Sequence, residues 1–72
     1  MHVVSLNQGS LRTASFAARL RRLRIAYRDG AIRDFADIPP ALFDALIRST
    51  DPETFVRDRV EGQYDEKIVR SA

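Results

Sequence analysis

Cysteine is absent from the chain, which excludes disulfides and thiolate metal sites and fits a reducing cytoplasm. Tryptophan is absent too, and histidine occurs once, as His2, close to a chain terminus where side chains are seldom held in place. Three glycines are too few for a phosphate-cradling glycine-rich loop. No run approaches the ~18 consecutive apolar residues of a membrane helix, so no membrane association is expected. Met1 to Asn7 lacks a basic stretch followed by an apolar run, so no signal peptide is expected.

What remains is an ordinary globular composition of 44% hydrophobic and 31% charged residues over 72 positions. That length makes one domain, and a chain so short buries only about 60% of its unfolded surface. Homo-oligomerisation is one way for it to add buried area. The formal net charge of +2 conceals a split. Residues 1–33 hold seven arginines and one acid, Asp29. Residues 34–72 hold five basic and nine acidic residues. The pattern predicts a basic side and an acidic side. Lys67 is the only lysine. A GC-rich genome produces the same arginine bias, so the choice of arginine carries no weight alone.

Residues 1–10 read as an N-terminal arm, with Val3 and Val4 able to add a short strand. Leu11, Ala14 and Phe16 suggest a strand, although Ser15 to Leu23 also reads as helix because alanine and arginine favour one. Leu23, Ile25 and Tyr27 alternate with Arg22, Arg24, Ala26 and Arg28, the pattern of a half-buried strand. Asp29-Gly30 predicts a two-residue hairpin turn, with Ala31 to Ile38 as the return strand. That turn sets Tyr27 opposite Ile32 and Arg24 opposite Phe35. Pro39-Pro40 then opens a helix whose apolar face is Leu42, Phe43, Leu46 and Ile47, with Asp44 and Arg48 paired outside. Asp51 caps a second helix with Pro52 at its first position and Phe55, Val56 and Val60 as its stripe. Gly62 ends it, Tyr64 packs back, and residues 65–72 form a tail. The expected fold is α+β: a small antiparallel sheet of two to three strands followed by two helices packed on one face.

This order of elements resembles the KTSC family, a short domain found at the C-terminus of some lysyl-tRNA synthetases and alone in small bacterial proteins. Leu11, Ala14 and Phe16, then Leu23, Ile25, Tyr27 and Gly30, carry the resemblance. So do Ile38-Pro39, the helix residues Leu42, Phe43 and Leu46, and the closing residues Phe55, Val60 and Tyr64. The likeness spans residues 11–64. The family's central Tyr-x-Tyr motif falls on Arg33-Asp34-Phe35, and its small Ser and Gly before the closing segment fall on Asp51 and Glu53. The resemblance implies RNA binding.

Catalysis has little support. The serines have no candidate base near them in sequence, and His2 has no orienting partner. Asp34 and Asp37 read as solvated or arginine-paired acids, not magnesium ligands. No enzyme activity, metal or cofactor is expected. The expected site is the outer face of the hairpin: Arg22, Arg24, Arg28, Arg33 and Phe35. Arginine binds phosphate through paired hydrogen bonds, and a ring among arginines stacks on an unpaired base. Two readings of Phe35 stand, as that platform or as core. The expected function is a non-enzymatic binding module for RNA, or for an acidic protein surface at the same face.

Overall fold

The computed structural model describes residues 2–72. Five strands, β1 (His2–Gln8), β2 (Leu11–Ala17), β3 (Arg22–Tyr27), β4 (Ile32–Phe35) and β5 (Glu66–Arg70), form one antiparallel sheet in the order β1-β2-β3-β4-β5. Between β4 and β5 lie α1 (Pro40–Arg48) and α2 (Pro52–Phe55), the latter running into a π-helical turn, Val56–Val60. The sheet therefore exceeds the expected two to three strands. Both additional strands are edges, built from the arm and the tail. β5 is exposed at all five residues, so it shows no apolar alternation to read. A ladder of backbone hydrogen bonds holds such a strand, and side-chain pattern does not report it. The helical alternative for Ser15 to Leu23 is replaced by strand, a turn at residues 18–21, and strand.

The turn between β3 and β4 also differs from expectation. Tyr27 donates its N–H to the Ala31 carbonyl at 2.8 Å, and Gly30 donates to the Tyr27 carbonyl at 3.1 Å. The loop is therefore Arg28-Asp29-Gly30, with Gly30 at φ 97°. A three-residue loop of this kind ends in a left-handed residue, which glycine adopts without penalty. Asp29 fastens it by accepting from the Ala31 N–H at 2.9 Å. The resulting register pairs Leu23 with Phe35, Arg24 with Asp34, and Ile25 with Arg33. One extra loop residue slides β4 by one position, and a one-residue slide exchanges its two faces. Phe35 thereby enters the core with no exposed surface. The strand stops at Phe35, and the chain turns at Asp37 (φ 58°) before Ile38 donates to the Arg21 carbonyl at 2.8 Å.

One face of the sheet supplies Leu11, Ala14, Phe16, Leu23, Ile25, Tyr27 and Phe35 to the core. Ile38, Phe43, Leu46, Val56 and Val60 close over them. Phe16 and Phe43 stack at 4.9 Å between ring centroids. Asp44 and Arg48 pair on the outside of α1 at 3.3 Å.

The start of α2 is tied down from two sides. Asp51 accepts hydrogen bonds from the Thr54 hydroxyl at 2.7 Å and the Thr54 N–H at 3.3 Å. Glu53 reaches back to the β1–β2 turn, accepting from the Ser10 hydroxyl at 2.7 Å and from the Ser10 N–H. Gln8 completes the clasp by accepting from the Glu53 N–H at 3.1 Å and donating to the Thr50 carbonyl at 3.2 Å. A Cβ at Gly9 would run into the Glu53 carboxylate, so the clasp needs glycine there for space as well as for its φ of 56°.

Phe35→Ala should cost about 3–5 kcal/mol, a large share of the stability of so small a domain, and urea titration followed by circular dichroism measures it. The Asp51 carboxyl is held below its ordinary value by the Thr54 hydroxyl and then the Thr54 N–H, and Glu53 by the Ser10 hydroxyl and then the Ser10 N–H. Lowered folded-state values stabilise the fold above the ordinary carboxylate range, and that contribution is lost as pH falls through them. The melting temperature should therefore decline below about pH 4. Glu53→Gln should flatten part of that decline.

Candidate nucleic-acid interface

On the sheet face turned away from the helices, Arg22 and Arg24 of β3 are exposed. At the centre of that face lies the β2–β3 hairpin. From Leu11 to Arg28 this segment holds six arginines and no acid. Arg12 sits at the register shift between Leu11 and Thr13. Arg19 and Arg21 lie in the turn at residues 18–21. Arg22 and Arg24 alternate with buried Leu23 and Ile25 and so project from the open face, opposite Ala17 and Ser15. Arg28 lies in the loop after β3, where its N–H donates to the Ser10 carbonyl at 2.9 Å. All six are exposed. Between them the face is paved with small half-buried residues, Thr13, Ser15, Ala17 and Ala26, which allow close approach.

Arg24 is the only one of the six with a carboxylate within 4 Å among the described residues. Its Nε donates to Asp34 Oδ1 at 2.7 Å and its Nη2 to Oδ2 at 3.1 Å. Asp34 raises the Arg24 pKa, first through that side-chain hydrogen bond and then through its charge. The Arg24 side chain nevertheless remains 47% exposed. A guanidinium has five N–H donors, so most remain free for a second anion.

The site expected from sequence is divided by the register of β4. Arg22, Arg24 and Arg28 share the hairpin. Arg33 projects from the other face, where its guanidinium lies 5.2 Å from the centre of the Tyr27 ring and 3.7 Å from Glu66. Phe35 is core and cannot serve as a stacking platform. Tyr27 is also buried and donates its hydroxyl to Glu61 at 2.9 Å. Burial, followed by that hydrogen bond, raises its pKa. Arg12, Arg19 and Arg21, absent from the expected site, adjoin it in the structure. Their signal in the sequence was the acid-free interval itself.

The acids gather on the β4–β5 flank. Asp34, Asp65 and Glu66 join Arg22, Ala36 and Lys67 around a shallow cavity of about 160 Å³. The open face is thus graded, basic over β2 and β3 and mixed in sign over β4 and β5. His2 lies on the opposite side, edge-on to Phe43 at 5.6 Å.

The sequence matches the family model of the KTSC domain over residues 8–64. The chain belongs to the KTSC domain family. A search of curated proteins returns no significant match. The crystal structure of a KTSC domain protein from Yersinia pestis is similar, with a TM-score of 0.90 at 10% identity over 96% of this chain and 97% of that one. At that identity the likeness concerns the fold alone. In this KTSC domain Arg33 and Phe35 both lie on the core side of the sheet, one at its rim and the other inside. No helix among the described residues is long and apolar enough to cross a membrane.

The Arg24–Asp34 pair is a surface interaction from the arginine's side. The Asp34 side chain, however, is only 8% exposed and holds Arg24 with both oxygens, so Asp34→Ala should cost about 1–3 kcal/mol, less than Phe35→Ala, as read from denaturation midpoints.

Proposed function

We propose that this KTSC domain binds RNA through phosphate contacts to the exposed arginines of the β2–β3 hairpin. The supporting observation is six arginines without one acid on a hairpin whose outer face is open, five of them lacking any carboxylate partner among the described residues. A guanidinium offers phosphate a flat pair of N–H donors, and each such interaction releases condensed counterions. Spacing along the hairpin favours a chain of phosphates over a single one: Arg19, Arg21 and Arg22 stand at one end, Arg24 mid-strand, and Arg12 and Arg28 at the other. RNA is preferred to DNA on the strength of the family resemblance. With the core aromatics turned inward, recognition rests on backbone charge and shape, so selectivity among bases should be slight. Acids on the β4–β5 flank confine the ligand to the hairpin side.

Fluorescence anisotropy with short single-stranded and hairpin RNAs, titrated at several salt concentrations, tests this reading. Binding should weaken steeply with salt. Arg19→Ala with Arg22→Ala and Arg28→Ala should lower affinity. On single strands the logarithmic salt slope should fall by about 0.7 for each phosphate that is no longer neutralised. Arg33→Ala should change little. Asp34→Asn, which weakens the competing hold on Arg24, should tighten binding. No binding at low salt, or binding indifferent to the triple substitution, removes the proposal. Salt-sensitive capture of an acidic protein in place of RNA would assign the same hairpin to a protein partner.

A further inference from the structure

We propose that the tip of the β2–β3 hairpin takes an unpaired RNA base against Leu20, so that the preferred ligand carries a looped-out or single-stranded nucleotide. This inference rests on the RNA reading above and deepens it. Leu20 is 62% exposed, the highest of the large hydrophobic residues left at the surface. It sits in the turn at residues 18–21, where Ala17, Ala18, Arg19 and Leu20 line an open hollow of about 540 Å³. The two alanines leave room for a flat group to approach. The turn is also fixed in advance. The Leu20 N–H donates to the Ala17 carbonyl at 3.1 Å and the Arg21 N–H to the Ala18 carbonyl at 3.3 Å. The Arg21 carbonyl accepts from the Ile38 N–H at 2.8 Å, which ties the turn to the chain after β4. A ligand docking here therefore has little loop to order. Arg21 holds a left-handed φ of 50°, where glycine would sit without penalty, and in return sets a guanidinium next to Leu20.

Cations surround this apolar spot. Arg19 and Arg21 adjoin Leu20 in the chain, and Arg22 stands opposite Ala17 across the ladder, on the same face of the sheet. None of the three has a carboxylate within 4 Å among the described residues. An occupant must offer an apolar surface with anionic groups close beside it. A nucleotide offers both, because the face of its base is apolar and phosphates flank it. Unpaired bases stack on guanidinium planes, and leucine is among the apolar side chains that enter base stacks. A paired base hides its faces within the helix, so the tip selects a base already out of the stack, which costs least to expose. Every base has such a face, so the contact adds affinity without reading sequence. A lipid surface meets the same charges, but one leucine on a tight turn gives it little apolar area to hold. The arginines moreover continue from the tip along the hairpin to Arg24, Arg12 and Arg28, the course of a polymer.

The test compares a fully paired RNA duplex with the same duplex carrying one bulged aminopurine, a fluorescent base, titrated with the full chain. The bulged RNA should bind about fivefold or more tightly, with a change in aminopurine emission. Leu20→Ser should abolish the preference and the emission change, while the salt slope, set by the arginines, stays the same. At 62% exposure Leu20 contributes little to the core, so the variant should keep the wild-type circular dichroism spectrum. Leu20→Trp should restore the preference, its own fluorescence responding to the bulged RNA alone. Salt-sensitive binding that treats both RNAs alike, or a preference that survives Leu20→Ser, overturns this inference and leaves the RNA reading standing. No binding of either RNA at low salt overturns both. Leu20-dependent sedimentation with phosphatidylserine vesicles, without a preference for the bulge, would assign the tip to a lipid surface and likewise overturn it.

Discussion

The loop Arg28-Asp29-Gly30 sets the position of β4, and much of the molecule follows from that one setting. Gly30 takes the left-handed conformation, Asp29 anchors Ala31, and the strand returns one residue later than a two-residue turn would bring it. Phe35 then fills the core beneath β3. Asp34 moves to the outer face, where it meets Arg24. Arg33 moves to the core side and lies across Tyr27 at the rim. A shift of a single residue thus decides which aromatic stabilises the fold, which arginine is neutralised and which face remains open.

The core is small, and its closure depends on polar fastenings as well as apolar packing. Asp51 caps α2, and Glu53, Gln8 and Ser10 bind the start of that helix to the β1–β2 turn. This clasp holds an edge strand to the helical layer at a place where few apolar side chains meet. Gly9 permits it by leaving room for the Glu53 carboxylate. The two edges of the sheet are therefore unlike: β1 is clasped at one end, whereas β5 is fully exposed.

Charge is distributed according to the same topology. The acid-free interval from Leu11 to Arg28 becomes the hairpin at the middle of the sheet, and the acidic half of the chain folds around its flank and into the helices. The open face consequently changes from basic to mixed across its width. β5, at the far edge, carries Ile68 and Val69 between charged residues.

Local chemistry in the sequence was enough to specify much of this. Alternation at Leu23, Ile25 and Tyr27 marked β3, Pro40 opened α1, and Asp51-Pro52 began α2, because each of these signals acts within a few residues of itself. The basic half was equally visible, as were Arg22 and Arg24 on the outer face of β3. The sequence offered only a short strand at Val3 and Val4 for β1 and read β5 as tail, since β5 is exposed throughout and its pairing by backbone hydrogen bonds leaves no side-chain rhythm. It left Phe35 open between core and surface, and it did not reveal the turning of Arg33 away from the other arginines. Asp-Gly is compatible with both two- and three-residue loops, and the choice between them was made by packing: only one register places Phe35 under the helices and Asp34 against Arg24. Short-range preference determined the elements, and the tertiary structure, through that register, decided which face each residue of β4 would occupy.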